Sequence, residues 1–345
     1  MARSPSPAPT LGFFRTVLIG GVVASPTGAN SHNQIQVTIP AGQGVNVPVV
    51  INCNGQTNLA SETPSFSYFA PFITSQVSNG YSTSGGSITL NGTNFGLAPQ
   101  VLLNGIPTTL QPGNTHASIT YNVPAGSGTN IQVRVAVAGQ LSNTGYSFNY
   151  PSPAISSIAA SSLSTRGGTE VTINGTNLGP ASAAGINVNG IPVSALYSSS
   201  GHTSLKFILP PGEGAARALT VSTGGQSSPI FNFNYDAPFI SRVIPSIVET
   251  GTSPIAIITG ANFGLTGIVL VNGIPAPVSF YSHDHITCTL PPSASPGTAN
   301  VEVVSAGRPS NTATFDYVCP ADFNNDGSVD FFDYLDFVAA FSTPC

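Results

Sequence analysis

The sequence repeats itself at a spacing of just over eighty residues, and this period limits the possible folds more than any other feature. Gly-Thr-Asn-Phe-Gly at 92–96 returns at 175–179 and 260–264 with small changes, at steps of 83 and 85 residues. Asn-Gly-Ile-Pro starts at 104, 189 and 272, at steps of 85 and 83 residues. An aromatic pair closes each copy, at Phe66/Tyr68, Phe148/Tyr150, Phe233/Tyr235 and Phe315/Tyr317. The period predicts small domains arranged in tandem.

Within one copy the pattern predicts strands only. Ile131, Val133, Val135 and Val137 alternate with polar or small residues, as expected for a strand with one buried face. Asn104-Gly105 lies between apolar runs and predicts a type I′ hairpin, because both residues tolerate positive φ. Several short strands in about 80 residues predict a β-sandwich. The strands of the first full copy are predicted at 72–77, 87–90, 101–103, 119–123 and 131–137.

Composition excludes several classes of protein. Charged residues make up 6% of the chain and the net charge is −5, so the surface is predicted to be rich in Ser, Thr and Asn. The eight basic residues are scattered singly, whereas nucleic-acid binding needs a clustered basic surface. The sequence contains no run of about 20 apolar residues, so no membrane span is predicted. The few acids of the repeats suggest no glycosidase pair, no Gly-x-Ser-x-Gly elbow is visible, and Lys206 is the only lysine. We therefore expect no enzymatic activity.

The repeat resembles the IPT/TIG domain, an immunoglobulin-like fold. The resemblance covers three full domains. The links between them are short and contain proline, which stiffens them and predicts a rod. The functional implication of the resemblance is broad, since such domains serve as adhesins, receptor spacers, accessory modules of polysaccharide enzymes and parts of transcription factors. The third copy departs from the pattern, with Thr252-Ser253 in place of Gly-Gly. The residues that carry the resemblance in the first full copy are Pro71, Ile73, Gly85, Gly86, Leu90, Gly92, Asn94, Phe95, Gly96, Pro124 and Tyr150.

The residues before the first full copy match the rear half of another copy. Val17 to Gly21 corresponds to Val101 to Gly105, and Ile39 to Gly42 corresponds to Val123 to Gly126. The stretch Thr16 to Ala24 also resembles a signal peptide, although its counterparts downstream favour a core strand. A half sandwich exposes an edge and an apolar face. We favour a chain cut from a longer one over completion by a strand from another chain.

Histidines and cysteines are the other candidate functional residues of the repeats. His32, His116, His202 and His283 each lie eight residues before the proline that ends their strand. They are interpreted as repeated turn residues, with a ladder of metal or pH sites as the alternative. Cys53 and Cys288 are predicted to be single buried thiols. Cys319 and Cys345 bracket the last segment and are candidates for a disulfide.

The last two dozen residues contain five of the thirteen acids. Counting Asp322 as position 1, oxygen ligands fall at positions 1, 3, 5, 7, 9 and 12, and a glycine stands at position 6. This spacing is that of an EF-hand calcium loop with Asp in place of Glu at position 12. Val329 is expected to pin the loop to the core, and a helix is predicted over 332–341. The predicted calcium ligands are Asp322, Asn324, Asp326, Ser328, Asp330 and Asp333.

One calcium loop followed by one helix resembles a single dockerin-type repeat. With a cysteine at each end it is similar to the C-terminal segment of GC-type dockerin-domain-anchored bacterial surface proteins. Dockerins carry two such repeats and bind cohesin; here there is one, and the chain ends in Pro344-Cys345 rather than Gly-Cys. The resemblance implies calcium as the cofactor and a cohesin-like docking partner.

The expected protein is therefore all-β, an extracellular rod of tandem immunoglobulin-like β-sandwiches with a small C-terminal EF-hand-like loop plus helix. Its expected role is structural or adhesive at a cell surface, with a protein or polysaccharide partner and a calcium-dependent anchor. The alternatives are an accessory carbohydrate-binding or spacer region of a secreted polysaccharide-degrading enzyme, and a filament subunit assembled by strand complementation. The expected domains are a partial repeat at 1–69, full domains at 70–151, 152–236 and 237–318, and the calcium-binding segment at 319–345.

Overall fold

The computed structural model describes residues 15–28, 34–196, 201–324 and 326–341. The chain forms two compact units, residues 1–151 and 152–345. The described residues fold into strands, two short 3-10 turns and one α-helix, which confirms the predicted all-β class. His32 and Cys345, both predicted to be of interest, lie outside the described residues. The described part contains no helix with the length and apolarity needed to cross a bilayer.

The N-terminal segment forms one sheet in the order β2-β1-β3-β4, with β5 paired to β3. Thr16 to Ala24, which resembles a signal peptide in sequence, forms the hairpin of β1 and β2. A 3-10 turn at Ala60–Glu62 precedes β5. The strands are Arg15–Ile19 (β1), Val22–Ala24 (β2), Val47–Cys53 (β3), Gln56–Thr57 (β4) and Ser65–Phe66 (β5).

The first domain is a sandwich of two antiparallel sheets. Its front sheet has the order β10-β7-β6, and its rear sheet has the order β12-β11-β8-β9 with β13 paired to β11. The strands are Phe72–Ser82 (β6), Gly85–Thr93 (β7), Gln100–Leu103 (β8), Ile106–Thr108 (β9), Ser118–Val123 (β10), Ile131–Val137 (β11), Gln140–Leu141 (β12) and Ser147–Phe148 (β13).

The second domain repeats this topology. Its front sheet is β14-β15-β18, and its rear sheet is β17-β16-β19-β20 with β21 paired to β19. A 3-10 turn lies at Ala181–Ala183. The strands are Ala154–Ala159 (β14), Glu170–Thr176 (β15), Gly185–Val188 (β16), Ile191–Ser194 (β17), Ser204–Ile208 (β18), Arg217–Thr223 (β19), Gln226–Ser227 (β20) and Phe231–Phe233 (β21).

The third domain adds one strand to each sheet. Its front sheet is β22-β24-β28-β27, and its rear sheet is β23-β31-β29-β25-β26 with β30 paired to β29. The strands are Phe239–Ile244 (β22), Ile247–Glu249 (β23), Ile255–Ala261 (β24), Ile268–Val271 (β25), Ile274–Ala276 (β26), Val278–Tyr281 (β27), His285–Thr289 (β28), Gly297–Ser305 (β29), Arg308–Pro309 (β30) and Ala313–Val318 (β31). Helix α1, Phe331–Phe341, follows in the C-terminal segment.

Each full domain has its own core, formed by the alternating apolar residues of both sheets. Ile131 to Val137 shows the predicted alternation, since Val133, Val135 and Val137 are buried and the residues between them are not. The motif at 92–96, 175–179 and 260–264 has a phenylalanine or leucine at its fourth position. This side chain is fully buried in each full domain, as Phe95, Leu178 and Phe263. Burial of such a side chain contributes about 2 kcal/mol, so the motif supplies a core anchor to each domain.

The first glycine of the same motif is required by a close backbone approach. A Cβ at Gly92 would lie 2.1 Å from the carbonyl oxygen of Phe72, and a Cβ at Gly175 would lie 2.1 Å from that of Ala154. The partner strand is bulged opposite each of these glycines, between Ile73 and Ser75 in the first domain. The glycine therefore permits the bulged front strand to pack against its neighbour.

The tyrosine of each closing aromatic pair ties the end of the copy to an earlier proline. The hydroxyl of Tyr150 donates to the carbonyl oxygen of Pro124 over 2.8 Å, and that of Tyr235 donates to Pro210 over 2.9 Å. The hydroxyl of Tyr68 donates to Pro40 over 2.9 Å in the N-terminal segment. The segment therefore shares the rear sheet and the closing contact of the full domains.

The core of the N-terminal segment is smaller and more open than the other cores. Among the described apolar residues of the segment, only Val17, Ile19 and Ala24 are buried, while Val49 and Ile51 are partly exposed. The strands equivalent to β6 and β7 are absent from the described residues of the segment. The apolar side of this sheet is therefore only partly covered by the described residues.

Two predictions about side-chain burial are wrong. Cys53 is partly exposed, because it closes the β3–β4 hairpin at the end of its strand, whereas Cys288 is buried as predicted. Val329 is 61% exposed. It does not anchor the calcium-type loop, because the carboxylates of that loop take this role.

Candidate functional site

The C-terminal loop, residues 322–333, is organised around the side chain of Asp322. This side chain is buried, and its Oδ1 accepts a hydrogen bond from the amide of Asp326 at 3.1 Å. Its Oδ2 accepts one from the amide of Gly327 at 2.9 Å. Gly327 has a φ of +89°, which a glycine adopts without strain. Positions 1, 5 and 6 of the predicted loop are therefore brought together.

Asp333, at position 12, closes the loop from the first turn of α1. Its side chain is 3% exposed. Oδ1 accepts hydrogen bonds from the amides of Phe323 at 2.6 Å and Asn324 at 3.2 Å, and Oδ2 accepts from the amide of Asp330 at 2.8 Å. The hydrogen bond from Asp330, together with those from Asn324 and Phe323, lowers the pKa of Asp333 despite its burial. Asp333 is therefore held as a carboxylate at neutral pH.

Asp330 has a structural role at the start of the helix. Its Oδ1 accepts a 2.8 Å hydrogen bond from the amide of Phe332, which is an N-cap contact to the second helical residue. Asn324 and Asp326 pair with each other through the Asn324 amide nitrogen and Asp326 Oδ2, 3.1 Å apart. The sequence-predicted ligands therefore fold into one loop rather than separate turns.

The side chains of this loop offer oxygen donors, the kind that calcium prefers. In the described part of the chain no three Asp, Glu, His or Cys side chains lie close enough to hold a metal ion. An EF-hand loop, however, uses amide, hydroxyl and main-chain oxygens beside its carboxylates. Each side-chain oxygen of Asp322 accepts one hydrogen bond from a loop amide and has a lone pair left for another ligand. The donor set is all oxygen and suits a hard cation such as calcium.

The predicted disulfide is not tested by the structure. Cys319 lies at the start of the segment and forms no disulfide with any described residue. Its proposed partner, Cys345, lies outside the described residues. The pairing therefore stays a prediction.

Helix α1 exposes apolar side chains around most of its circumference. Asp333 and Asp336 are its only charged residues. A cavity of about 240 Å³ lies between the loop and the helix, lined by Phe323, Val329 and Phe337 among others. The rings of Phe323 and Phe337 are in edge-to-face contact at 5.7 Å. The exposed apolar residues of the helix are Phe331, Phe332, Tyr334, Leu335, Phe337 and Val338.

The repeated histidines serve the fold through their main-chain carbonyls. The oxygen of His116 accepts from the amide of Phe95 at 3.0 Å, that of His202 from Leu178 at 2.8 Å, and that of His283 from Phe263 at 2.9 Å. This contact does not use the imidazole ring. It therefore supports the interpretation of these histidines as residues of a repeated turn. His283 also pairs through Nδ1 with Thr165 Oγ1 at 2.9 Å.

Two features of the first unit are not evident from the sequence pattern. A cavity of about 460 Å³ opens beside β9, lined by apolar and hydroxyl side chains that include Ile106, Ile131 and Tyr150. Phe69 and Phe72 are exposed, with Phe69 at 86% of its full accessible area. A phenylalanine in a repeat with aromatic core positions is easily taken for another core residue.

Each of the three full copies matches a known domain family. Residues 71–150, 153–235 and 238–317 each match the model of the IPT/TIG domain. The chain belongs to the IPT/TIG domain family. The prediction of three tandem IPT/TIG domains is thereby confirmed. The matched residues end before the C-terminal loop, so the dockerin-type resemblance of 319–345 stays a prediction.

No curated protein sequence matches the chain. Among solved structures, a crystal structure with xylogluco-oligosaccharide has 17% identity and a TM-score of 0.40, covering 72% of this chain and 60% of that one. The surface glycan-binding protein PbSGBP-B from Prevotella bryantii has 16% identity and a TM-score of 0.36, covering 52% and 47%. The extracellular region of plexin A4 has 15% identity and a TM-score of 0.25, covering 90% and 45%. The chain thus spans about half the length of these proteins.

Proposed function

We propose that this IPT/TIG chain is a non-catalytic extracellular protein of a structural or adhesive kind, attached through a calcium-organised C-terminal docking segment. The observation that carries the proposal is the loop 322–333. Its first and last ligand positions, Asp322 and Asp333, are both buried and both bind main-chain amides of the loop. Calcium would complete a loop that leads directly into an exposed apolar helix.

Calcium binding would draw the carboxylates of Asp322, Asp326 and Asp333, which the described structure does not bring within reach of a single ion, around the cation together with neutral oxygens of Asn324 and Ser328. The ion would neutralise part of the negative charge of a segment that contains no Lys, Arg or His after Arg308. A unit of this size buries little core, so metal binding and a Cys319–Cys345 disulfide would supply stability that packing does not. This supports a segment whose order depends on calcium.

The docking partner is proposed to be a protein with an apolar groove. A helix that is apolar on most of its surface is normally buried against another surface, and α1 exposes Phe331, Tyr334 and Leu335 among others. The exposed acids of the loop favour a groove with a basic rim. A cohesin-like domain is one partner that the dockerin-type resemblance implies. The proposed location is therefore extracellular, at a cell surface or matrix.

The non-catalytic assignment is supported by the structural use of acids in the domains. Glu170 pairs with Lys206 at 2.7 Å, and Asp316 accepts from the hydroxyl of Thr298 at 2.7 Å. Asp236 accepts from the hydroxyl of Ser162 at 2.6 Å and from the amide of Leu163 at 3.0 Å. These carboxylates are engaged in holding strands and loops together.

The test is a calorimetric calcium titration of the full chain, under oxidising conditions, with Asp326→Ala and the control Asp336→Ala. Asp336 is an exposed acid of the same segment outside the predicted ligand positions. One site with a dissociation constant between about 1 μM and 1 mM is expected, lost in Asp326→Ala and kept in the control. Absence of binding at millimolar calcium, or equal binding by Asp326→Ala, would contradict the calcium-organised segment.

The exposed aromatic residues of the first unit favour a second candidate, an accessory carbohydrate-binding region. Phe69 and Phe72 are both more than half exposed and lie three residues apart. Exposed aromatic rings present apolar faces that fit the faces of sugar rings. Retardation of the full chain in gels containing a polysaccharide, lost in Phe69→Ala but kept in Phe239→Ala, would support this candidate. Equal mobility with and without every polysaccharide tested would contradict it.

A further inference from the structure

The front sheet of the third domain is apolar on its outward face, unlike the front sheets of the other two domains. Strand β24 alternates between buried core residues and the outward residues Ile255 and Ile257, which are 67% and 37% exposed. A strand that is apolar on both faces is typical of a strand covered on both sides. The outward face of β24 therefore indicates a partner. The counterparts of its two isoleucines are polar in the other domains, as Ser87, Thr89, Glu170 and Thr172.

The added strand β27 extends this apolar face. It places Phe280, which is 53% exposed, opposite Thr287 of β28, and Thr287 lies opposite Ile257 of β24. Ile257 in turn lies opposite Ile244 of β22, which is 38% exposed. One row of residues therefore crosses all four strands, and three of its four members are apolar. Where β27 lies, the described residues of the other two domains form only an isolated bridge, so the wider sheet and the apolar row occur together.

The charges on this face are basic only. The four strands contain no Asp or Glu, and their outward ionisable side chains are Arg242 and His285. Both lie opposite Thr259, in the row beside the apolar one. The ring of His285 is in edge-to-face contact with Phe280, with 5.6 Å between the ring centroids. The face therefore fits an apolar partner whose charged groups are acidic.

Helix α1 has this chemistry. The side chain of Asp333 is buried against the loop, and the opposite side of the helix carries four apolar residues at the spacing of a single helical face. Each of the four is at least 40% exposed. The charged residues of the helix are both acids, and Asp336 borders this apolar stripe. The stripe consists of Phe331, Tyr334, Leu335 and Val338.

The helix and the sheet face also match in size. The 11 residues of α1 span about 16 Å, while four strands span about 14 Å across and the seven residues of β24 span about 23 Å along the sheet. In the described chain the stripe and the sheet face are both exposed, so α1 does not cover the face of its own chain. Two α1 helices packed on each other would bring acids together without a base. A helix on the sheet of another copy instead brings acids to Arg242 and His285.

We propose that α1 of one copy packs on the outward face of β22, β24, β28 and β27 of a second copy, and that the reciprocal contact closes a two-fold dimer. This inference rests on the docking role proposed for α1 and names the surface that receives it. Calcium orders the loop from which α1 extends and so presents the stripe. Dimerisation is therefore expected to depend on calcium.

The experiment is sedimentation velocity of the full chain from about 1 μM to 1 mM, with calcium or with a chelator. Every variant carries Cys53→Ser, so that this partly exposed thiol cannot link copies. The chain is expected to show a monomer–dimer equilibrium in calcium. Ile255→Ser combined with Ile257→Thr copies the outward face of the first domain and is expected to raise the dissociation constant at least about tenfold. Leu335→Lys in the stripe is expected to do the same, with calcium binding kept in calorimetry.

The matched control is Ile274→Thr, which changes a 57% exposed isoleucine on the rear sheet of the same domain. This variant is expected to dimerise like the parent chain. Charge reversal tests the pairing of helix and sheet. Asp336→Arg is expected to raise the dissociation constant about threefold, as for an exposed charge pair, and adding Arg242→Asp is expected to reverse that change.

The outcomes separate this inference from the calcium-organised segment. A chain that binds calcium but stays monomeric to about 1 mM overturns the inference and leaves the calcium site standing. A dimer that persists in the Ile255→Ser, Ile257→Thr variant also overturns it and assigns the contact to another surface, such as α1 against α1. Dimerisation that is lost in both variants but unaffected by the chelator supports the interface and contradicts its dependence on calcium. A monomer that binds no calcium contradicts both proposals.

Discussion

The side-chain carboxylate of Glu213 accepts a 2.8 Å hydrogen bond from the amide of Leu265 and so links the second domain to the third. The hydroxyl of Thr266 donates to the same carboxylate at 2.7 Å. An equivalent contact exists in the first unit, where Gln43 Oε1 accepts from the amide of Leu97 at 2.8 Å. The third residue after the strand-ending proline (Pro40 or Pro210) therefore contacts the next copy in both units. It is the charged Glu213 in one unit and the neutral Gln43 in the other.

This difference predicts that the contact in the second unit depends on pH. Burial acts to raise the pKa of Glu213, but the hydrogen bonds from Thr266, Leu265 and Ser305 outweigh it and lower the pKa below 4.5. A lowered pKa means that the contact is at full strength above pH 4.5 and weakens as the pH falls through the lowered value. Amide hydrogen exchange of Leu265 is measured at neutral pH and at a pH below the lowered pKa of Glu213, and each rate is corrected for the intrinsic rate. The corrected rate is expected to be roughly fivefold higher at the low pH, for a loss of about 1 kcal/mol of protection.

The two units supply reciprocal controls for this prediction. Glu213→Gln should keep the contact and remove its pH dependence, because an amide oxygen accepts the same bonds at any pH. Gln43→Glu should make the protection of Leu97 depend on pH. Other charged or titratable groups near the contact are Arg217, which donates to the main-chain oxygen of Glu213, and His283, which has Asp284 beside it. A pH dependence that survives in Glu213→Gln would assign the effect to one of these groups instead.

Tyr121 in the first domain is expected to be a source of instability. It is fully buried, and its hydroxyl has no hydrogen-bond partner among the described residues. Burial raises the pKa of this hydroxyl, with smaller contributions from Tyr81 and Tyr150. The second domain has Phe207 at the same point of the front sheet. Because an unsatisfied buried hydroxyl costs about 1–3 kcal/mol, Tyr121→Phe should stabilise the first domain by about 1 kcal/mol.

The measurement is hydrogen exchange of the β10 and β11 amides, which reports the opening of the first domain in the intact chain. Tyr150→Phe is the matched comparison. It removes the 2.8 Å bond to the carbonyl oxygen of Pro124 and should cost about 1 kcal/mol. Equal effects of the two substitutions would show that the hydroxyl of Tyr121 has a partner, such as a buried water.

Much of the fold follows from the sequence, because the repeat places the same chemistry at the same point in each copy. The alternation at Ile131 to Val137 predicted strand β11, and Asn104-Gly105 predicted a hairpin turn with positive φ at both residues. The structure contains both. The added strand β23 in the third domain was not predicted. It pairs in parallel with β31, and such a non-local pairing leaves no local pattern in three residues.

The candidate site was less fully predictable. The spacing of Asp322 to Asp333 predicted one loop, because ligand spacing is a local property. The exposure of Val329 was not predicted, since burial depends on which surface the loop faces. Glu213 and Gln43 were also missed as contact residues. Their partners lie more than fifty residues away in sequence, and a polar residue after a proline gives no indication of such a contact.

A substitution of the repeated histidines distinguishes the two hypotheses for them, namely that they are turn residues or that they form a ladder of metal sites. Because the contact in each domain uses the carbonyl oxygen of His116 or its equivalent, His116→Ala should leave the stability of the first domain within about 0.5 kcal/mol of the wild type. His283→Ala should in addition loosen the contact with Thr165. Zinc titration of the full chain should be unaffected by His116→Ala. A loss of zinc binding in that variant would support the ladder.

The first glycine of the repeated motif should tolerate no side chain. At Gly175 an added Cβ would lie 2.1 Å from the carbonyl oxygen of Ala154, and the amide of Gly175 donates to the carbonyl oxygen of Thr203 at 2.9 Å. The strand is therefore held on both sides and cannot move away. Gly175→Ala is expected to destabilise the second domain by about 2 kcal/mol, within the range for overpacking.

Gly201→Ala in the same domain is the control, because its added Cβ would meet no atom within 4 Å. It should change the stability by less than about 1 kcal/mol. Both variants are compared by hydrogen exchange of the β15 and β18 amides, where Gly175→Ala should increase exchange by about thirtyfold for a 2 kcal/mol loss. Similar exchange in the two variants would mean that β14 shifts to accept the methyl group. In that case the bulge opposite Gly175, between Ile155 and Ser157, would be adaptable rather than fixed by the glycine.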